Sequence, residues 1–346
     1  MIFKKQPNNT QMNQFRMWGL ALLLLVATAC QNDKKSDSSS VSDNSTAEKQ
    51  VAVPRFDRDS AYAFVSKQLD FGPRVPNTSA HRACKEWLVQ QMKAYGAEVL
   101  EQRFSPKAYT GTTLDATNII AQYNPGNPQR IVLAAHWDSR PFSDSPLHTG
   151  NQNQPVMGAD DGASGVAVLL EVARQLQANP IGIGVDLVLL DAEDYGDNGG
   201  SAAESWGMGA QYWAKNLHYS GGVRPMYGIL LDMVGGKGAR FGQEYFSLQY
   251  AAPVVQKVWK LAQSMGYSHY FVSEQTNPVT DDHYFINTIA RIPMVDIINQ
   301  PPGSETGFPA HWHTDKDNLA AIDRFTLGAV GQLMLAVLYR EENGTL

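Results

Sequence analysis

The chain is poor in cysteine, with 2 in 346 residues, so no disulfide framework can stand in for a hydrophobic core. It holds no basic run. Lys and Arg number 28 against 34 Asp and Glu, a formal net charge of -6, which disfavours a polyanionic partner such as nucleic acid. Internal repeats are absent, and past the N-terminus no apolar run is long enough to span a membrane as a helix. The nucleophile elbow Gly-x-Ser-x-Gly is missing, and Ser164-Gly165 has no phosphate-binding loop around it. Serine-hydrolase and nucleotide-binding readings are weak for that reason.

What is present is ordinary globular material, 43% hydrophobic and 18% charged, enough to bury a substantial core in one large domain. Residues 1–29 read as an export signal: Lys4, Lys5 and Arg16 precede an apolar run from Met17 to Ala29 that is too short to span comfortably. Two processing readings meet at Ala27-Thr28-Ala29-Cys30. Ala27 and Ala29 fit an ordinary small-residue cleavage site, whereas Cys30 fits the lipid-modified cysteine of a bacterial lipoprotein. The following segment favours the lipoprotein, because residues 31–50 are Ser, Asp, Asn, Lys and Gln with little apolar content, the composition of a flexible tether. The expected organisation is a signal over 1–29, a lipid-anchored tether over 30–52 and a single domain over 53–346. That domain is expected to be monomeric, to meet a membrane only through Cys30, and to face the periplasm or sit on the outer membrane; a soluble periplasmic form is the alternative. Loss of the signal's three cations takes the net charge from -6 to -9. Cys84 falls on a predicted helix with Ala80, Trp87, Leu88 and Tyr95 on or near one face, so a buried, inert thiol is expected.

Helical spacing marks 57–70 and 79–95, separated by the two prolines of Phe71-Gly72-Pro73-Arg74-Val75-Pro76. Short runs rich in Val, Ile and Leu follow at Ala116–Tyr123, Ile131–Ala135, Val185–Leu190, Tyr227–Leu231 and Ile292–Ile298, and read as strands covered on both faces. Helices are predicted at Gly162–Gln177, Ser205–Leu217, Gln249–Met265 and Asp323–Arg340. The alternation implies an α/β sandwich with a mostly parallel central sheet. Arg140–Met157 and Tyr195–Glu204 are polar loops beside acidic motifs, where site-building loops belong.

Those motifs stand where apolar runs stop: His136-Trp137-Asp138-Ser139, Gly158-Ala159-Asp160-Asp161, Asp191-Ala192-Glu193-Asp194 and Leu231-Asp232, completed far downstream by Phe308-Pro309-Ala310-His311-Trp312-His313-Thr314. Each has a bland reading. Asp161 precedes a helix and fits a cap, Glu193 and Asp194 fit solvated acids closing a strand, and Asp232 fits a turn into Gly235-Gly236. Taken together they would gather several charges along one sheet edge, which is costly without a cation. A mixed carboxylate and imidazole set suits zinc. His81, His148, His218, His269 and His283 read most simply as surface or locally bonded side chains, although His283 lies beside Asp281-Asp282.

In order and spacing, His-x-Asp-Ser at 136–139, Gly-Ala-x-Asp-x-Ala-Ser-Gly at 158–165, Asp-x-Glu-Asp at 191–194, Asp232 and His-Thr at 313–314 resemble the zinc-dependent aminopeptidase superfamily, Peptidase family M28, across residues 55–340. The resemblance implies a three-layer α/β/α sandwich with a mixed, mostly parallel central sheet. Two branches share this frame: two-zinc aminopeptidases, and glutaminyl cyclases that keep one zinc and convert N-terminal glutamine to pyroglutamate with loss of ammonia. Trp312 before the late histidine, Phe308 five residues before it and the pair Asp281-Asp282 resemble the cyclases. Glu193-Asp194 departs from the Glu-Glu of animal cyclases, and Asp296 stands where they carry histidine.

Carried over by position, the resemblance implies Asp161, Asp194 and His313 as ligands of one zinc, and Glu193 as general base and acid. Asp232 and Asp281 would share protons with Glu193, with Asp281 preferred over Asp282. Trp206, Phe308 and Trp312 are the candidate substrate pocket. The implied substrates are peptides and exported proteins that begin with glutamine. His136 and Asp232 keep the alternative open, because in the aminopeptidases those positions help to hold a second zinc.

Overall fold

Where a run of β-branched and leucine side chains is covered from both sides, successive residues must fill two different layers. The computed structural model describes residues 52–200 and 202–346, and its central strands do this. The expected signal, Cys30 and nearly all of the expected tether lie outside the described residues. In chain order the elements are α1 (Arg58–Asp70), α2 (Ser79–Ala94), β1 (Glu98–Phe104), β2 (Ala116–Tyr123), β3 (Arg130–His136), α3 (Ala163–Ala178), β4 (Gly184–Leu190), α4 (Met208–Lys215), β5 (Tyr227–Asp232), β6 (Phe241–Gln243), α5 (Tyr245–Ser264), β7 (Phe271–Gln275), α6 (Asp282–Phe285), β8 (Met294–Ile298) and α7 (Arg324–Glu342). Six strands form one sheet in the order β1-β2-β4-β3-β5-β8. The pairs β4-β3, β3-β5 and β5-β8 are parallel, while β1-β2 and β2-β4 are antiparallel. β6 and β7 pair separately.

Ile131, Leu133, Ala135, Leu187, Leu189, Ile229, Leu231, Val295 and Ile297 face one core, built with α1, α2, α3, α5 and α7. Their neighbours Val132, Ala134, Val188, Leu190, Leu230 and Met294 face the other, where Ala210 and Trp213 of α4 and Phe285 of α6 pack. The sheet is therefore the middle layer of three. Among the described residues no helix is long and apolar enough to cross a membrane.

Several boundaries differ from the sequence reading. β8 begins at Met294 instead of Ile292, because Pro293 has no amide to donate to a ladder and the Met294 amide donates to the Asn287 side chain. α4 begins at Met208 instead of Ser205, after Gly207 with φ of 55°. α5 begins at Tyr245, earlier than expected, because Glu244 caps it by accepting the Ser247 amide. The helix kinks at Ala251, two residues before Pro253. The antiparallel strand β1 was missed; its polar residues at 98 and 101–103 leave no apolar run to read.

Candidate active site

The parallel strands point their carboxyl ends at one edge, where open α/β sheets place their sites. His136 is the last residue of β3 and Asp232 the last of β5, while Glu193 and Asp194 come just after β4. Asp161 lies in the turn before α3. The capping reading of Asp161 fails, since Gly162 occupies the N-cap position and no side chain caps that helix. Gly162 has φ of 84°, and a Cβ on Gly165 would stand 2.3 Å from the Leu231 carbonyl oxygen. The two glycines let the helix start press against β5, and this brings Asp161 beside Asp232 and His136.

Two ligand groups result, with Asp161 common to both: Asp161, Asp194 and His313, and His136, Asp161 and Asp232. His313 Nε2 is 3.1 Å from Asp194 Oδ1 and 3.7 Å from Asp161 Oδ2. His136 Nε2 is 3.0 Å from Asp161 Oδ1 and 3.2 Å from Asp232 Oδ1. All five side chains are buried. The first group fits zinc on two counts. Asp194 Oδ2 is buried without a hydrogen-bond partner, and His313 donates from Nδ1 to Asp144 Oδ1 at 3.1 Å, leaving Nε2 toward the carboxylates. A histidine ligand oriented by a carboxylate on its far nitrogen is the usual support of a zinc site.

Buried carboxylates outside the ligand set aim it. Asp138 accepts the amides of Glu193 (3.1 Å) and Asp194 (3.2 Å), and Asp317 accepts those of Asp160 (2.8 Å) and Asp161 (3.2 Å). Arg140 grips Asp144 at 3.1 and 2.5 Å and donates to the carbonyls of Asp194 and Gly196. Its guanidinium also lies over the Trp206 ring, 4.8 Å from the centroid. Ala192, Met233 and His313 all have positive φ, 54°, 49° and 53°. Such backbone persists only where its surroundings fix it, and it gathers at functional sites.

Burial and crowding of like charge govern the electrostatics. Glu193 is pushed well above the ordinary carboxylate range by burial and then by Asp281. Burial also raises Asp232 well above it, against a hydrogen bond from His136. Asp194 is raised to about 6 by burial and by Asp161. Burial opposes the protonation of His313, yet Asp194 and Asp144 hold it at about 9. A divalent cation would relieve this crowding of negative charge, displacing protons as it binds. Cys84, by contrast, is raised to about 12 by burial and takes no part.

A cavity of about 220 Å³ opens over the ligands, lined by Asp161, Glu193, Asp194, Asp232, Asp281 and His313 together with Trp206, Phe308 and Trp312. Asp281 reaches this cavity, and Asp282 does not line it. Trp312 stacks on His313 with centroids 3.7 Å apart and meets Phe308 at 4.7 Å, while Trp206 lies parallel to the His313 ring at 6.2 Å. A larger groove of about 650 Å³, lined by Arg55, Arg58, Arg174 and Phe325 among others, contains none of the ligand groups. The structure thus brings together every site residue picked from sequence. It adds Asp144 and Asp317, which no motif marked, and gives Asp138 of the His-x-Asp-Ser motif and Arg140 of the adjoining loop their parts as supports. His81 and His283 prove to be buried, the first against Asp191 and the second against Glu244.

Residues 118–338 match the sequence profile of Peptidase family M28. The chain is 28% identical over 282 residues to a glutaminyl-peptide cyclotransferase of Drosophila melanogaster, covering 73% of each protein. Among solved structures, it is similar to a Bacteroides thetaiotaomicron glutaminyl cyclase bound to N-acetylhistamine, with 48% identity and a TM-score of 0.81 over 83% of this chain and 99% of that one. It is also similar to a Zn-dependent exopeptidase from Parabacteroides distasonis, with 49% identity and a TM-score of 0.81 over the same shares.

Proposed function

The chain belongs to Peptidase family M28, and on that premise we propose that it is a zinc-dependent glutaminyl-peptide cyclotransferase, converting N-terminal glutamine of peptides and proteins to pyroglutamate with release of ammonia. The observation that carries this reading is the small aromatic cavity set directly over Glu193 and the ligand group of Asp161, Asp194 and His313. Its roughly 220 Å³, about seven water volumes at ~30 Å³ each, suits one folded side chain better than an extended peptide. The cyclase relatives support the same conclusion.

Asp161, Asp194 and His313 would hold a zinc ion, which would supply Lewis acidity for the side-chain amide of the substrate. The protein's own groups do the rest. Trp206, Phe308 and Trp312 fold the glutamine side chain back toward its own α-amine and exclude water, so that attack on the amide carbon is intramolecular. Glu193 takes a proton from the α-amine as the ring C–N bond forms, and returns it to the leaving nitrogen as ammonia departs. Its raised pKa suits a group that must hold a proton in mid-turnover. Asp281 and Asp232 share that proton's environment.

One zinc is the proposed complement. A second reading, a two-zinc aminopeptidase, rests on His136 and Asp232, with His136 Nε2 3.0 Å from Asp161 Oδ1 and 3.2 Å from Asp232 Oδ1; there Glu193 would activate water to hydrolyse the first peptide bond. The physiological substrates we propose are exported proteins whose N-terminal glutamine is exposed by signal removal, met by a monomer tethered through a lipidated Cys30. Glu193→Gln tests the assignment of the base. The account expects cyclisation to fall on the order of 10²–10⁴-fold with zinc content retained, and unchanged activity would refute it.

A further inference from the structure

Behind Asp281 runs a line of buried side chains that the reaction above leaves without a role. Asp296 of β8 lies next to Asp281, His283 of α6 lies next to Asp296, and Glu244 at the head of α5 closes the line. Their exposures are 4% for Asp281 and 0% for the other three. Glu244 is anchored by the amides of Ser247 at 2.6 Å and Val279 at 3.0 Å. His283 Nε2 is 3.0 Å from Glu244 Oε2, and Nδ1 is 3.5 Å from Asp296 Oδ2. Asp281 Oδ2, both Asp296 oxygens and His283 Nδ1 are buried without partners. As bare carboxylates, Asp281 and Asp296 would repel each other and leave all four atoms unsatisfied. A proton between Asp281 and Asp296, and another between Asp296 and His283, satisfies every one of them.

We propose that Glu244, His283 and Asp296 form a proton relay that positions Asp281 and exchanges a proton with it, an inference that rests on the cyclase reading. Two arrangements hold the same protons. In one, His283 donates from Nε2 to Glu244 and from Nδ1 to Asp296, while Asp296 donates its own proton to the Asp281 carboxylate. In the other, the Nδ1 proton has passed to Asp296 Oδ2 as the Asp296 proton passed to Asp281, so one O–H bond forms at each carboxyl as one N–H and one O–H bond break. No outside donor is needed. Burial and the Asp281 charge raise Asp296 well above the ordinary range, as a shared proton requires. The other charged groups facing this line are Glu193, Asp232 and Asp282, with His136 and Asp161 beyond them on the cavity side of Asp281. Asp281 can thereby follow Glu193, which gains and loses a proton in each turnover.

The test compares the wild-type protein with Asp296→Asn and Glu244→Gln on a glutamine-initiated peptide. Asparagine can bond both neighbours but cannot pass a proton. The relay predicts that kcat falls about tenfold or more in Asp296→Asn, with KM, zinc content and thermal midpoint little changed and with a larger solvent deuterium isotope effect on kcat. Glu244→Gln should lower kcat in the same sense and by less. Wild-type kcat in Asp296→Asn would overturn the relay. So would loss of a second metal equivalent in that variant, since Asp281, His283 and Asp296 also lie within reach of one ion. So would a raised KM together with losses of zinc and thermal midpoint, the mark of a packing defect. The wild-type product separates the two ideas, because free glutamine without ammonia refutes the cyclase reading whatever the variants do.

Discussion

At the scale of single residues, the site depends on buried charges that never touch the cavity. Arg140 joins the Asp194 carbonyl, the Asp144 carboxylate that orients His313, the Gly196 carbonyl and the face of Trp206. Lysine keeps the charge but not the planar fork, so it cannot hold these partners at once. Arg140→Lys is expected to lower kcat/KM and zinc affinity by about 10–100-fold, read by steady-state kinetics and zinc titration; wild-type values for both would contradict this role. The candidate ligands were legible in the sequence because each acid or imidazole interrupts an apolar run. Asp138 stood in a motif without a role, and Asp317 stood in none. They act on backbone amides at positions 193–194 and 160–161, which the sequence places far away.

At the scale of elements, the central strands were legible because each is an apolar run with the same two-layer alternation. β1 was not, since at a sheet edge its polar residues meet solvent. The start of α5 was hidden because its cap, Glu244, belongs equally to the buried line behind Asp281. The contact between α3 and β5 is the element-level determinant of the site, and Gly165 permits it. Gly165→Ala places a methyl 2.3 Å from the Leu231 carbonyl oxygen, which must push the helix start and Asp161 outward. Overpacking of this kind costs about 1–3 kcal/mol, so the urea midpoint should fall with m unchanged. An unaltered midpoint and unaltered zinc affinity would show that the helix start has more room than its contacts allow.

At the scale of the whole molecule, we propose a family M28 fold turned from peptide hydrolysis toward cyclisation, exported to the periplasm or outer membrane on a lipid-anchored tether. The tether is tested separately. Cys30→Ala is expected to abolish incorporation of labelled fatty acid and release the protein from the membrane fraction, whereas persistent labelling would place the lipid elsewhere. Cyclase and aminopeptidase differ in which bond breaks, and the two candidate ligand groups sharing Asp161 leave geometry for either outcome. The deciding measurement is the product formed from a glutamine-initiated peptide by purified protein of known zinc content. One bound zinc, release of ammonia and a peptide lighter by one ammonia are expected; free glutamine released by protein carrying two zincs would contradict a cyclase.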